Sequence, residues 1–309
     1  MPFVKKHFHA SEEMPAFLFL MGRLGLTQGE AQRAIDKGRL LIDGKSMRDK
    51  AATIQGDMEI VYFEPKSRGA KPIFYNKDFA LFEKKSGVLV HPKTMATSYS
   101  MLDEIRAHAG DRANAVHRID METSGLLMAS KHKSAESFLK TAFEKRDIQK
   151  SYLAWVDGKV EKGFSVDVPL KKRGDYGLDK HKVCVSDRGK QSETTFVPIE
   201  FDPELDATLL ACYPHTGRTH QIRVHLFHVK HPILGDPIYG TAFDAANEYL
   251  EGRLSDEIRP IEMGASRLML HAQSLRFHYK SEYELHSKVD FRELKGLICP
   301  KGVRRFNKQ

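Results

Sequence analysis

The chain has 309 residues, of which 41% are hydrophobic and 29% charged, the balance of a folded globular protein rather than of a disordered or fibrous one. A formal net charge of +8 leans toward a polyanionic partner. Three widely spaced cysteines, Cys184, Cys212 and Cys299, exclude a CxxC metal knuckle and a disulfide framework and fit a reducing compartment. No apolar run reaches the roughly 18 residues of a spanning helix, and MPFVKKHFHASEEMP lacks the apolar core of a signal peptide, so a cytoplasmic location is expected.

The first sixty or so residues read as a small separate unit. In PAFLFLMGRLGL, residues Phe17, Leu18, Leu20, Met21 and Leu24 fall at helical spacing. TQGEAQRAIDKG predicts a second short helix. Thr27 and Glu30 make a capping box at its start, Ala31, Ala34 and Ile35 give its buried stripe, and Gly38 suits a left-handed stop. RLLIDGK predicts a strand ending in an Asp43-Gly44 turn, and DMEIVYF another. Glu64 to Pro72, rich in Lys, Gly and Pro, reads as a linker. The expected division is therefore 1–63, a linker at 64–72, and a large unit over 73–309.

Beyond the linker strand signals dominate: FALFEKKSGVLVHP, SYLAWVDGKV, SETTFVPIEF, ATLLACYP and RLMLHAQSLRFHY. SAESFLKTAFEKRD predicts a helix with Ala135, Phe138, Leu139, Ala142 and Phe143 on one face, and THQIRVHLFHV can form another. Strands outnumber helices without a regular βαβ alternation, which predicts an α+β fold with a mixed, largely antiparallel sheet. The basic tail KGVRRFNKQ reads as a frayed end.

Three stretches crowd polar groups against apolar runs: AVHRIDMETSG (Ala115 to Gly125), QKSYLAW, and YPHTGRTHQIRVHLFHVKHPILGDPIYG (Tyr213 to Gly240). The third holds His215, His220, His225, His228 and His231. The first three of these are spaced by five, which scatters side chains around a helix and alternates them across a strand. With no H-E-x-x-H and no nearby Cys, no metal site is expected. Histidines that line polar loops or contact RNA are the reading preferred here. No phosphate-binding glycine loop of either nucleotide type is present, and ETSGLLM is not a G-x-S-x-G elbow. Thr123 and Ser124 suit the shaping of a turn. That leaves Asp120 and Glu122. An acid in a loop is more often structural or solvated than catalytic, and local context alone does not decide between these roles.

GLTQGEAQRAIDKGRLLIDGK with GDMEIVYF resembles the small RNA-binding domain first known from ribosomal protein S-four, in which a helix pair and a following strand present a basic face to folded RNA. Arg23, Arg33, Lys37 and Arg39 are the candidates for that face, against the alternative of a solvated surface. HRIDMETSGLLMAS, KSYLAWVDG and TGRTHQIRVHLFHVKHPILGDPIYG resemble the signature motifs of the RluA family of pseudouridine synthases. The first motif of that family, H-R-L-D-x-x-T-S-G, is met at His117, Arg118, Asp120, Thr123, Ser124 and Gly125, with Ile119 for the usual Leu. The likeness runs from about Phe74 to Phe277, and SRLMLHAQSLRF matches the last core strand. In one departure, Lys85 and Ser86 fill a turn where the family has Lys-Pro, which leaves the local loop shape open.

The resemblance implies a catalytic domain with a central cleft and a small amino-terminal α/β RNA-binding domain. It also implies isomerisation of uridine, in which the N1–C1′ bond breaks, the uracil turns, and C5 rejoins the sugar. That reaction gains and loses no atoms, so no cofactor is expected. Asp120 is implied as the nucleophile, with attack on C1′, attack on the base and action as a base toward the sugar all left open, Arg223 as its ion partner, and Tyr152 as the residue that stacks on uracil and helps move its C5 proton. The target base must leave its stack. Arg118 suits either filling the gap or a salt bridge that holds the loop. Thr123, Arg218 and His220 complete the candidate RNA contacts, the last two with a turn-fixing role as alternative. Glu122 is expected at the surface. Ribosomal RNA of the large subunit is the implied substrate and transfer RNA a possible one. No membrane and no obligate protein partner is expected. The alternative from another class is a non-catalytic RNA-binding or ribosome-assembly factor, and an intact Asp120 and Arg223 speak against it.

Overall fold

The computed structural model describes residues 2–174 and 183–305. The amino-terminal unit runs β1 (Phe3–Pro15), α1 (Ala16–Leu24), α2 (Gln28–Asp36), β2 (Leu40–Ile42), β3 (Lys45–Met47) and β4 (Thr53–Phe63). Its strands form an antiparallel sheet in the order β1-β4-β2-β3. Phe19, Leu20, Ala31, Ile35, Leu40, Ile54, Met58 and Ile60 pack its core. The Thr27 amide donates to Glu30 Oε2 at 2.9 Å, closing the expected capping box. Strand β1 was not expected from the sequence. Lys5, Lys6, His9 and Glu12 break up its apolar pattern, and it is held instead by pairing with β4, from Phe3 against Phe63 to Ala10 against Gly56. Leu18, expected on the apolar face of α1, is 44% exposed, and Phe19 takes its place in the core.

Segment 64–71 has no regular structure but is fastened down. The Lys66 amide donates to Asp103 Oδ1 at 3.0 Å, the Arg68 amide to Glu104 Oε1 and the Ser67 hydroxyl to Glu104 Oε2 at 2.6 Å. These acids lie in the first turn of α3 (Met101–Ala109).

The larger unit continues through β5 (Pro72–Tyr75), β6 (Phe79–Lys84), α3, β7 (Asn114–Ala115), β8 (Ser124–Ser130), α4 (Lys133–Lys145), β9 (Gln149–Asp157), β10 (Phe164–Asp167), β11 (Leu170–Lys172), β12 (Val183–Val185), β13 (Glu193–Asp202), β14 (Ala207–Pro214), α5 (Gln221–His228), α6 (Phe243–Leu250), α7 (Arg259–Met263), β15 (Leu270–Tyr279) and β16 (Ser281–His286). The main sheet has ten strands, in the order β10-β13-β14-β9-β15-β8-β6-β5, with β16 added to β15 and β7 to β8. Each pairing in it is antiparallel except β15 with β8. The fold is thus α+β with a mixed, largely antiparallel sheet.

That parallel pair positions the site. Its register sets Tyr152 opposite Ala272, and Ala272 opposite Gly125, in one row across β9, β15 and β8. Gly125 has φ +104°, and a Cβ there would overlap the Ala272 backbone, so glycine is required where the first motif enters the sheet. One core cluster gathers around Trp155, Phe196, Leu209 and Leu226, another around Phe79, Leu126, Leu139 and Phe277, and Tyr152 packs against both. Full burial of a large apolar side chain such as Phe79 contributes about 1.5–3 kcal/mol.

Two expectations need correction. Phe138 is 49% exposed rather than buried on the inner face of α4, and lies edge-on to Tyr279 at 5.0 Å. The tail is docked as far as Arg305. Buried Arg304 pairs with Asp157 at 2.8 Å and donates to the Leu205 carbonyl, and the Arg305 amide donates to the Ile261 carbonyl. Phe306 to Gln309 lie outside the described residues.

Candidate active site

The loop between β7 and β8 carries His117, Arg118, Asp120, Glu122 and Thr123, and its backbone is clamped from several sides. His117 Nε2 accepts the Met128 amide at 2.9 Å, and its ring stacks on Phe143 with centroids 4.4 Å apart. Burial pushes this imidazole down to about 3, so the ring is neutral and free to accept. Lys84, 1% exposed, donates to the carbonyls of Lys85, Val88 and Met121. Burial pushes its ammonium down to about 7, against the opposing pull of Glu122 and Asp120. The Ser86 hydroxyl donates to the Glu122 carbonyl at 2.6 Å. The turn that departs from the family pattern therefore bonds directly to the motif loop.

Glu122 is not a surface residue. It is 6% exposed and accepts from Tyr249 Oη at 2.5 Å and from Arg259 Nη2 at 2.8 Å. These partners stand on α6 and α7, so Glu122 ties the motif loop to that pair of helices. Thr123 is 2% exposed, and its amide donates to the Asp120 carbonyl at 3.2 Å. This corrects its assignment as an RNA contact, because its burial leaves it to shape the turn. Ser124 Oγ lies 2.8 Å from His271 Nδ1 and accepts from Arg267 Nη2 at 2.5 Å.

Asp120 itself is 30% exposed. Its Oδ2 accepts from Arg223 Nη1 at 3.2 Å, and His220 Nε2 stands 3.8 Å from the same oxygen. Among the described residues Oδ1 takes part in no hydrogen bond. Arg223, on α5, is 3% exposed and has a second, closer carboxylate. Asp236 accepts from its Nε at 2.6 Å and from its Nη2 at 2.7 Å, a bidentate fork. Burial opposes the charge on Arg223, but Asp236 and Asp120 outweigh it and hold the guanidinium charged. Asp236 is in turn fixed by the amides of Ile238 and Tyr239, both at 2.9 Å. Tyr239 Oη lies 2.9 Å from His220 Nδ1 and accepts the Val183 amide at 2.8 Å.

Tyr152 completes the set. Its phenol is pushed up by burial and by the nearby charge of Asp120, and so stays protonated. The three distant motifs thus meet, with one partly exposed carboxylate, a buried guanidinium on one of its oxygens, and a partly buried phenol within its field. One carboxylate oxygen is held while the other is available to attack carbon or accept a proton. The ring of Tyr152 offers a flat face to a base, and its hydroxyl can transfer a proton.

Sequence reasoning did not single out Asp236, Tyr239 or Lys84. Of the other candidates, Arg118 is exposed and makes no ion pair among the described residues. Arg218 is partly exposed, its Nε donating to the Gln191 carbonyl at 3.0 Å. His225 is no loop histidine: it is fully buried between Ser192 and Thr194 at 3.0 Å each. Among the described residues no group of three His, Cys, Asp or Glu side chains is placed to hold a metal ion, and no helix is long and apolar enough to cross a membrane.

Residues 78–228 match the family model described as RNA pseudouridylate synthase. A Helicobacter pylori protein named "Uncharacterized RNA pseudouridine synthase" is 39% identical over 281 residues, 91% of this chain and 92% of that protein. A Nitrosomonas europaea protein named "Ribosomal large subunit pseudouridine synthase D" is 34% identical over 202 residues, 64% of this chain and 56% of that protein. Among solved structures, human RNA pseudouridylate synthase domain containing 1 shares the fold, with a TM-score of 0.59, 24% identity, and coverage of 77% of this chain and 91% of that one. Similarity that extends over nine tenths of both sequences places the chain in the family of RNA pseudouridine synthases, isomerases of uridine in RNA.

Proposed function

We propose that the protein isomerises specific uridines of large-subunit ribosomal RNA, with Asp120 as the nucleophile. The observation that carries this reading is the 3.2 Å contact of Arg223 with one oxygen of Asp120, whose charge also reaches the partly buried phenol of Tyr152. In this scheme the flipped uracil stacks on Tyr152 while Asp120, its charge balanced by Arg223, opens the glycosidic bond. Uracil turns, C5 attacks the sugar and releases the Asp120 carboxylate, and the Tyr152 hydroxyl relays the proton lost from C5, giving up its own as it takes that one, so that N1 ends protonated. Arg118, exposed beside the acid, fills the place of the extruded base. Arg218 and His220 contact the RNA backbone. Residues 1–63 act as an RNA-binding domain that delivers the structured target to the 73–309 catalytic domain. The name of the Nitrosomonas relative supports ribosomal RNA over transfer RNA, and the net charge of +8 suits either. Mapping pseudouridines in total cellular RNA with and without the gene tests the assignment. Loss of one or a few sites in large-subunit RNA is expected, whereas loss confined to transfer RNA would redirect it.

A further inference from the structure

Lys150 stands two residues before Tyr152 on β9, so both side chains leave the same face of the strand. Its ammonium lies over Gly217: a Cβ on that glycine would come within 3.6 Å of Nζ. Gly217 belongs to the loop that leads into α5, the helix that carries Arg223. On its other sides the ammonium meets positive or neutral groups. Arg146, at the end of α4, adds to burial in lowering the lysine, and the lysine in turn pushes His117 further down. Among the described residues no carboxylate and no hydrogen-bond acceptor serves this partly buried cation. Lys84 shows what a structural lysine does in this fold, since its Nζ spends itself on three carbonyls. A partly buried cation with no protein acceptor among the described residues is open to an anionic ligand, and Lys150 sits where the reading of Asp120 and Tyr152 as the uridine site puts the RNA strand.

We propose that Lys150, with Arg146 beside it, binds a backbone phosphate of the RNA strand next to the flipped uridine, and that Gly217 leaves the space for it. This rests on the reading of Asp120 and Tyr152 as the uridine site. A compact ammonium suits a single phosphate oxygen, and the contact would fix the strand on the lip of the site while Tyr152 holds the base. Lys150 is thus a positioning residue.

The test uses the full chain and a labelled, unmodified transcript of large-subunit ribosomal RNA. Wild type, Lys150→Met and Lys150→Arg are compared by the slope of log Kd against log salt, by the melting temperature and by tritium release at saturating transcript. One phosphate contact is worth roughly 0.7–0.9 in that slope. Lys150→Met is expected to flatten the slope by about that amount and to weaken binding about tenfold at low salt, with Lys150→Arg close to wild type. If Lys150→Met does not fold, Lys150→Gln carries the same comparison. An unchanged slope and affinity overturns the phosphate contact, as does weaker binding at an unchanged slope, which would mark a base contact. Tritium release by wild type separates the two readings. A silent wild type with a flattened slope removes the uridine assignment alone, and an active wild type with an unchanged slope removes the phosphate contact alone.

Discussion

Asp236 grips Arg223 along one edge of the guanidinium, at 2.6 and 2.7 Å, and leaves Nη1 to reach Asp120 at 3.2 Å. One arginine therefore serves two acids with different tasks. The buried acid is fixed by two backbone amides and orients the guanidinium, while the partly exposed acid keeps one oxygen free of hydrogen bonds among the described residues. Asp236→Asn keeps the shape and removes the charge. Losing one partner of a buried ion pair costs about 3–5 kcal/mol, and an Arg223 freed to turn toward Asp120 would disturb its geometry. A lower melting temperature and a kcat reduced about a hundredfold, with a smaller change in KM, are expected. Steady-state tritium release checks this, and full activity in a stably folded variant would show that Asp236 does not position Arg223.

Tyr152→Phe separates the ring from the hydroxyl. The ring packs against both core clusters, so the variant should fold as wild type does. If the hydroxyl moves the C5 proton, kcat falls by about 10²-fold or more while RNA affinity holds. Binding and single-turnover assays on the same preparation distinguish this from a stacking role, for which both would remain near wild type.

His117 gives the fold an acid limit. Its imidazole titrates at about 3 in the folded chain against an ordinary 6.5 because it is buried. Between those values the unfolded chain binds the proton that the folded chain refuses, so stability falls as pH drops from 6.5 toward 3. His225 and His271, both lowered to about 4 by burial, act in the same direction. His117→Gln retains an acceptor for the Met128 amide but does not titrate. Urea unfolding at pH 6.5, 5.5 and 4.5 should show a shallower pH dependence in the variant, by up to about one proton. Parallel curves would contradict the assignment.

Glu122→Ala would leave the Arg259 guanidinium and the Tyr249 hydroxyl without their shared acceptor. A loss of about 1–3 kcal/mol is expected from unsatisfied buried donors, visible as a lower urea midpoint. Activity at low temperature should stay within a few-fold, because Glu122 bonds to the helices behind the loop.

The contrast between Asp120 and Glu122 shows what was legible in the sequence. Asp120, Tyr152 and Arg223 stood out because each lies in a compact run that resembles a family motif. Glu122 read as a surface residue because its partners are 127 and 137 positions away, and nothing local announces them. Asp236 did carry a signal. A guanidinium only 3% exposed needs more than one acid that is itself 30% exposed, and GDPIYG holds the single Asp of the third motif stretch. The alternation of strands was visible, as were the capping box of α2 and the apolar run of β8. Strand β1 was hidden because its pairing with β4 supplies the order that its side chains lack. The docked tail was hidden for a similar reason: Arg304 finds Asp157 only in the folded chain.

The central claim is that Asp120 performs the chemistry. Asp120→Asn preserves the volume and retains a possible acceptor for Arg223, and it removes the nucleophilic charge. Purified wild type and variant are incubated with large-subunit ribosomal RNA transcribed with uridine tritiated at C5. The account predicts tritium release by wild type and none above background from the variant, with RNA binding and melting temperature retained. Release by the variant at the wild-type rate would contradict it.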